Sequence, residues 1–495
     1  FNPAGKTSRE KGIVLDLRPV LLVLGSLISI LALMMIFPVI ADVLAGNQDW
    51  QIFVLALFLT LAIGGMLVLA NFGSSDTINL RQAFLLTTLS WSVLPAFAAL
   101  PLAFSELNLS YTDAYFEAIS GLTTTGSTII SGLDSAPPGI LLWRALLQWF
   151  GGIGIIVMAV AVLPMLQVGG MQVFKTDSYD SVEKILPRAR QISGIILGVY
   201  VALTAICMLS YMVAGMGTFD AMAHSMTTIA TGGFSTSDAS MGKFNSFSID
   251  MIAVVFMIIA SIPFIIYCQL VRGRPLSVFK DEQVVGFLKL VVLLCVSVTL
   301  WLIIWKGFSL GEAFRYGTFN IISILTGTGY ASTDYGQWGS FSVTLFFLVM
   351  FIGGCAGSTT CGIKIFRFQV LLKSMKCWTN HIIQPNGVFV PTFNKRPITY
   401  DVRSSVMAFM TLFLATFLLL SLAIASTGED WITSFSSAGT ALANVGPGLG
   451  DHVGPSGTFG GLTDAGKWLM SIGMLIGRLE LWSVLVLLSP SFWRA

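Results

Sequence analysis

Runs of about twenty apolar residues recur from one end of this chain to the other, and no other feature limits its possible folds as strongly. Crossing a bilayer core takes about 20 residues of apolar helix. Ten segments reach that length: 19–41, 51–72, 84–104, 138–165, 190–214, 247–270, 284–306, 340–373, 402–427 and 465–488. Nothing between them is polar enough to form a separate soluble domain. Charged residues make up 11% of the 495 positions and hydrophobic ones 55%, whereas a soluble domain carries roughly a quarter charged. The expected fold is an all-α integral membrane protein with ten transmembrane helices. The first run follows Lys6, Arg9, Lys11 and Arg18, as the apolar part of a signal peptide would. It is too long for one and lacks a clean cleavage pattern, so it reads as a retained helix.

Ten crossings put both ends of the chain on one side, and the basic residues say which. Of the 27 Lys and Arg residues, Arg144, Lys243, Lys306, Arg315 and Lys467 fall on one side. All the others fall on the opposite side, except Arg478, which lies within the last run. The positive-inside rule then expects both termini in the cytoplasm. Fifteen acidic residues, Glu117, Asp134 and Asp250 among them, are expected on the outer face, where they would concentrate cations. The cysteines Cys207, Cys268, Cys295, Cys355, Cys361 and Cys377 have no metal-ligand spacing and read as packing residues rather than disulfides.

Four stretches between the runs are neither spans nor ordinary loops. They contain Ser120-Gly121-Leu122-Thr123-Thr124-Thr125-Gly126, Thr227-Thr228-Ile229-Ala230-Thr231-Gly232-Gly233, Ser323-Ile324-Leu325-Thr326-Gly327-Thr328-Gly329 and Thr440-Ala441-Leu442-Ala443-Asn444-Val445-Gly446. Each follows a short amphipathic segment and leads through a polar stretch into another apolar run. The chain thus reads as two N-terminal helices in 1–82 followed by four helix, re-entrant loop, helix units at 83–170, 171–275, 276–380 and 381–495. Such a repeat dictates architecture. Four units around an axis would set four Thr/Gly segments opposite one another. Rings of backbone carbonyls can replace a cation's hydration shell, and Gly best tolerates the positive φ values this needs. The equivalent glycines are aligned as Gly126, Gly232, Gly329 and Gly446. The residues preceding them, Thr124 and Thr125, Ala230 and Thr231, Gly327 and Thr328, Asn444 and Val445, would lend the neighbouring oxygens. The short helices would aim their partly negative C-terminal ends at the axis.

The eighth run is too long for one crossing. Its middle, Gly353-Gly354-Cys355-Ala356-Gly357-Ser358-Thr359-Thr360-Cys361-Gly362, holds a helix poorly. An interruption at membrane depth is tolerated where it faces a cavity. In the last run Arg478 is an intramembrane charge, which is usually functional. Glu480, two positions on, does not share its helix face.

At Ala230-Thr231-Gly232-Gly233-Phe234-Ser235, Asn444-Val445-Gly446-Pro447-Gly448 and the run from Gly353 to Lys364, the sequence resembles the TrkH/TrkG/KtrB superfamily of potassium uptake proteins. The resemblance covers essentially the whole chain, and the two extra N-terminal helices look like the TrkH branch. It implies a pseudo-fourfold pore in the bacterial cytoplasmic (inner) membrane, a homodimer, and a cytosolic TrkA-like nucleotide-binding subunit that regulates it. It also implies potassium bound at the filter residues named above and a gating loop carried by Gly353, Gly354, Gly357, Ser358, Thr359, Thr360, Gly362 and Lys364. Arg478 would be an electrostatic barrier beneath the filter. Two residues depart from the family pattern: Cys361, where glycine is commoner, and Tyr330, where phenylalanine is.

Other function classes find less support. Gly448-Leu449-Gly450-Asp451 spells the GxGD of intramembrane aspartyl proteases, but the partner carboxylate, Asp180, is expected on the opposite side of the membrane. His224, His381 and His452 are scattered, which suggests no zinc site, and there is no G-x-x-x-x-G-K-[ST] loop. Nothing calls for an organic cofactor or a nucleic-acid partner, and an enzyme is not expected. A potassium symporter coupled to protons or sodium stays open beside the channel-like reading. One aligned glycine per repeat, against two in the TVGYG filter of potassium channels, predicts a short filter that passes potassium and rubidium and disfavours sodium.

Overall fold

The computed structural model describes residues 16–74, 78–157, 182–271 and 280–494. The end of the fourth apolar run at 158–165, the unit boundaries at 170/171 and 275/276, Asp180, and several loop cations, among them Lys6, Lys175 and Arg272, lie outside the described residues. The boundaries 82/83 and 380/381 fall two and three residues from helix ends, within Leu80–Ala98 and Ile365–Ile383.

Nearly all described regular structure is helical, as apolar runs without water to satisfy the backbone require. The first two runs form α1 (Arg18–Met34), α2 (Ile36–Ala45) and α3 (Trp50–Ala70). The first repeat comprises α4 (Leu80–Ala98), α5 (Leu100–Phe104), the short α6 (Tyr111–Leu122) and α7 (Pro138–Val157). The second holds α8 (Val182–Val213), the short α9 (Thr218–Ile229), α10 (Phe247–Ala260) and α11 (Phe264–Val271). The third holds α12 (Glu282–Lys306), the short α13 (Leu310–Leu325), α14 (Ser340–Val349) and α15 (Ile365–Ile383). The fourth holds α16 (Tyr400–Ala425), the short α17 (Trp431–Ala443), α18 (Asp464–Arg478) and α19 (Trp482–Leu488), followed by α20 (Pro490–Arg494). Each unit repeats the same order: long helix, short helix, extended segment, a 3-10 turn and an outgoing helix. The four 3-10 turns are Leu133–Ser135, Ser240–Phe244, Tyr335–Trp338 and Phe459–Gly461.

Among the described residues seven helices are long and apolar enough to cross a membrane, or nine when each of two bent pairs counts as one span. The remaining expected run, 340–373, is interrupted. Its helix stops at Val349 and resumes at Ile365, and between them Ile352–Gly353 and Ile363–Lys364 pair as a short parallel β1–β2 ladder.

Two of the expected runs, 247–270 and 465–488, are bent, α10 against α11 by 92° and α18 against α19 by 109°. Pro263 explains the first: it cannot donate to the helix ladder. The freed groups are taken by the third repeat's interruption, with Cys355 N–H donating to Ser261 O at 3.0 Å and Phe264 N–H to Gly357 O at 2.9 Å. The second bend passes through Glu480 and Leu481, both left-handed at φ 56° and 53°, a conformation that non-Gly residues hold only where their surroundings impose it.

Local sequence starts most of the short helices. Ser110 caps α6, Ser309 and Glu312 form a capping box on α13, and Asp430 caps α17; a cap of this kind contributes about 1 kcal/mol. The N-terminal helices hold together differently. A Cβ on Gly64 would lie 2.9 Å from Gly25 O, and one on Gly25 would lie 2.8 Å from Gly64 O, the close backbone approach that small residues allow between membrane helices. Asp42, at the end of α2, accepts from Gly139 N at 2.6 Å and so docks this pair on the start of α7.

Overpacking that crossing with Gly64→Leu should lower the thermal stability of the detergent-solubilised protein by the equivalent of about 1–3 kcal/mol. An unchanged melting temperature would remove the α1–α3 contact from the account.

Candidate functional site

The short helices α6, α9, α13 and α17 end where the four Thr/Gly segments begin, and each segment turns with the same backbone pattern. Thr124, Thr231, Gly327 and Asn444 are left-handed, with φ of 52°, 51°, 67° and 52°. Two residues later Gly126, Gly233, Gly329 and Gly446 have φ of 87°, 77°, 79° and 115°. The residue between donates its N–H back into the helix: Thr125 to Ser120 O, Gly232 to Thr227 O and Thr328 to Ser323 O, each at 2.9 Å, and Val445 to Thr440 O at 3.1 Å.

The segments close on one another as a ring. A Cβ placed on Gly126 would lie 2.1 Å from Gly232 O, on Gly233 1.9 Å from Thr328 O, on Gly329 2.0 Å from Val445 O and on Gly446 2.9 Å from Thr125 O. Each glycine therefore accommodates the carbonyl of the following repeat, and the fourth repeat returns to the first. All four glycines also line a single cavity of about 210 Å³.

This geometry corrects the second repeat by one residue. The equivalent of Gly126, Gly329 and Gly446 is Gly233, not Gly232, and the segment aligned with Thr124-Thr125-Gly126 is Thr231-Gly232-Gly233. Ala230 drops out: it caps the short helix in right-handed conformation at φ −71°. Two adjacent glycines made the register ambiguous in sequence; the positive φ of Gly233, its approach to Thr328 O and the hydrogen bond from Gly232 N to Thr227 O select between them. Thr124, Thr125, Gly126, Thr231, Gly232, Gly327, Thr328, Gly329, Asn444 and Val445 with Gly446 all meet at the ring.

Side chains behind the ring tie the repeats together. Gln148 of α7 donates to Gly232 O at 2.6 Å and accepts from Phe234 N at 3.0 Å. Asn444 donates to Thr125 Oγ1 at 2.9 Å, and Ser127 Oγ donates to Gly446 O at 2.7 Å. Arg144 pairs with Glu117 at 2.7 Å, donates to Ser235 O at 2.8 Å, and lies over the Phe234 ring at 4.1 Å. Glu117 also accepts from Thr128 Oγ1 and Ile129 N, both at 2.9 Å. Sequence reasoning missed Gln148 and this ion pair, since neither carries a motif.

The outer charges divide differently from the expected solvated face. Glu117, Asp42, Asp250 and Arg144 are buried, where a polar group needs partners of its own. Asp250 pairs with Arg315 at 2.6 Å, and Lys467 with Asp113 at 2.6 Å. Asp134 does face solvent at the outer mouth, where the Ser237 hydroxyl and then Lys243 hold its carboxyl below the usual range.

Beneath the ring lies the interruption between α14 and α15. Its glycines are built into the turn: a Cβ on Gly353 would lie 1.9 Å from Cys361 O and one on Gly354 2.7 Å from Thr360 Oγ1, while Gly357 and Gly362 have φ of 82° and 71°. Ser358 Oγ donates to Cys355 O at 2.6 Å and Thr359 Oγ1 to Ala260 O at 3.1 Å. The Cys361 thiol is 3.7 Å from Thr124 Oγ1, directly under the ring. Arg478 is buried, donates to Cys361 Sγ and, at 3.1 Å, to Gly151 O, and its Nε has no partner. Glu480 is held by Arg367 at 2.5 Å. Lys364 and Arg367, expected on the cytoplasmic face, are instead buried, and the Lys364 ammonium donates to Thr360 O. The sharp turns of the loop fold them inward. A small cavity of about 30 Å³ is bounded by Gly357, Ser358, Cys361, Gly362, Lys364 and Arg478.

Among the described residues no three His, Cys, Asp or Glu side chains gather as a transition-metal site. Backbone oxygens and threonine hydroxyls are hard, uncharged oxygen ligands of the kind that can replace a cation's water shell.

Comparison with known proteins agrees over the whole length. The family described as TrkH, cation transport protein, matches residues 50–494. Trk system potassium uptake protein TrkI of Halomonas elongata is 41% identical over 477 residues, covering 96% of this chain and 97% of its own. Trk system potassium uptake protein TrkH of Escherichia coli K12 is 37% identical over 486 residues, 96% of this chain and 99% of its own. The crystal structure of the potassium transporter TrkH from Vibrio parahaemolyticus aligns with a TM-score of 0.90 at 35% identity, covering 97% of this chain and 100% of that one.

The register predicts unequal costs for two neighbouring substitutions. Gly233→Ala meets a backbone carbonyl at positive φ, whereas the atoms nearest a Cβ on Gly232 belong to the Gln148 side chain, which can shift at the cost of its hydrogen bonds. Gly233→Ala should therefore lose more thermal stability, by about 1–3 kcal/mol. Equal losses would reinstate Gly232 as the ring glycine.

Proposed function

The chain belongs to the TrkH family of cation transport proteins, and from that premise we propose that it takes up potassium across the bacterial cytoplasmic membrane through the glycine ring. One observation carries the reading: the ring glycine of each of the four repeats lines one cavity. Potassium, the transported substrate, would exchange its water there for backbone oxygens of Thr124–Gly126, Thr231–Gly233, Gly327–Gly329 and Asn444–Gly446. The four short helices end at the ring, so their partly negative C-termini would favour a cation. In this reading each bent or interrupted helix pair would be one span, giving ten crossings, and the four short helices with their Thr/Gly segments would be re-entrant loops. Both termini would then be cytoplasmic.

The gate would be the segment Gly353–Lys364 together with Arg478. An ion about 6 Å from the guanidinium meets roughly 3 kcal/mol of repulsion at an effective dielectric near 20, a barrier of about a hundredfold in rate. Movement of the segment, with Cys361 under Thr124, would carry Lys364 off the path and release the Arg478 guanidinium from Cys361 so that it can turn away. A cytosolic nucleotide-binding subunit of the TrkA kind would drive that movement, and two copies of the chain would form the membrane unit. The symporter reading, with protons or sodium coupled, predicts flux that saturates with the co-ion and no unitary currents.

Restoring potassium-limited growth in an uptake-deficient bacterium, with and without the regulatory subunit, tests the proposal. A chain that reaches the membrane and restores no growth in either case would refute it. Arg478→Ala should raise potassium flux on the order of tenfold or more at equal membrane abundance; unchanged or lower flux rejects the barrier. Gly126→Ser should lower the preference for potassium over sodium, and an unaltered ion ratio would count against the ring as the filter.

A further inference from the structure

Four residues follow the ring glycines directly: Ser127, Phe234, Tyr330 and Pro447. Two are aromatic, and they lean the same way, each onto the short helix of the repeat before. The Phe234 ring lies against Gly121 of α6, where a Cβ would be 3.3 Å from Cε2. There the Arg144 guanidinium lies over the ring at 4.1 Å, the Ser120 hydroxyl donates to Ser127 O at 2.6 Å, and a phenylalanine has no hydroxyl to bond. At the matching place on α9 stand Thr227 and Thr228, and the aromatic residue facing them is a tyrosine. The fully buried Tyr330 hydroxyl meets Thr227 Oγ1, lies 3.3 Å from Thr228 Oγ1, and donates to His224 O at 3.2 Å. Thr228 is itself held by the Tyr211 hydroxyl at 2.9 Å. The other end of Tyr330 is fixed as well, since its carbonyl accepts from Ser323 Oγ of α13 at 2.7 Å.

We propose that the Tyr330 hydroxyl is a latch between the second and third repeats that sets how strongly the glycine ring discriminates potassium from sodium. It is a positioning residue: it touches no ion, and it rests on the reading of the ring as a potassium filter. The argument is mechanical. Tyr330 is covalently attached to Gly329, whose Cα is packed against Val445 O, and Gly233 is packed against Thr328 O. A ring segment anchored at both ends resists the contraction that a smaller sodium ion needs for full coordination, whereas one anchored only to its own helix yields. A hydrogen bond in this dry interior is worth a net ~0.5–1.5 kcal/mol, enough to matter to a selectivity ratio and too little to hold the fold.

The experiment uses the full-length purified chain in liposomes and reads rubidium against sodium uptake at equal folded protein. Tyr330→Phe keeps the ring and deletes only the hydroxyl, and Thr227 retains its bond to Ala223 O at 3.1 Å, so the fold should survive. Its rubidium-to-sodium ratio should fall about threefold to tenfold, one net hydrogen bond expressed as a ratio. Thr227→Val should lower the ratio similarly and Thr227→Ser should keep it. The double variant Tyr330→Phe with Thr227→Val should be no worse than the lower single, because both remove one interaction. An unchanged ratio in Tyr330→Phe, losses in Thr227→Ser equal to those in Thr227→Val, or additive effects in the double variant would each overturn the latch. Wild-type liposomes that carry no rubidium would sink the transport reading itself and the latch with it. Wild-type transport with unaffected variants sinks the latch alone.

Discussion

Extended backbone at membrane depth has no water to bond, and this protein answers that constraint by making each repeat satisfy the next. An unpaired peptide group in an apolar interior costs several kcal/mol, so a single such segment between two helices would not persist. Four of them closing head to tail can. The space left by each missing Cβ at Gly126, Gly233, Gly329 and Gly446 is filled by a neighbour's carbonyl, and the N–H groups between fold back on the short helices. The long helices supply the remaining donors through Gln148 and Arg144.

The same requirement shapes the region beneath. The α10–α11 bend and the α14–α15 interruption solve each other's deficits through the Ser261–Cys355 and Phe264–Gly357 backbone bonds. Buried charges follow the rule in their own terms. Arg144 has Glu117, Arg315 has Asp250, Lys467 has Asp113 and Arg367 has Glu480. Arg478 faces carbonyl oxygens and a thiol instead, with Nε unpartnered. Carbonyl dipoles offset a guanidinium's charge less than a carboxylate would, so more of its positive field remains below the ring.

Much of this was legible along the chain. Apolar length gives the long helices within a few residues, capping residues such as Ser110, Ser309 and Asp430 mark the short ones, and the Gly/Ser/Thr run from Gly353 announces a break. What escaped is of one kind. The choice between Gly232 and Gly233, the partners Gln148 and Tyr330, and the burial of Glu117, Lys364 and Arg367 all depend on contacts between residues far apart in sequence. The bend at Glu480 and Leu481 is the same case, since neither residue prefers φ near 55° and the fold imposes it.

By itself, then, the sequence determined a helical membrane protein with a fourfold internal repeat, a Thr/Gly turn in each unit and one arginine set inside the last helix. Those properties follow from local composition and periodicity, which act within a turn or two of chain. The tertiary structure alone decided which glycine of the second repeat enters the ring, which charges neutralise one another, and that the Cys361 thiol stands against Thr124. The reason is physical: a ring closed by carbonyls from four distant segments has no register until all four are in place.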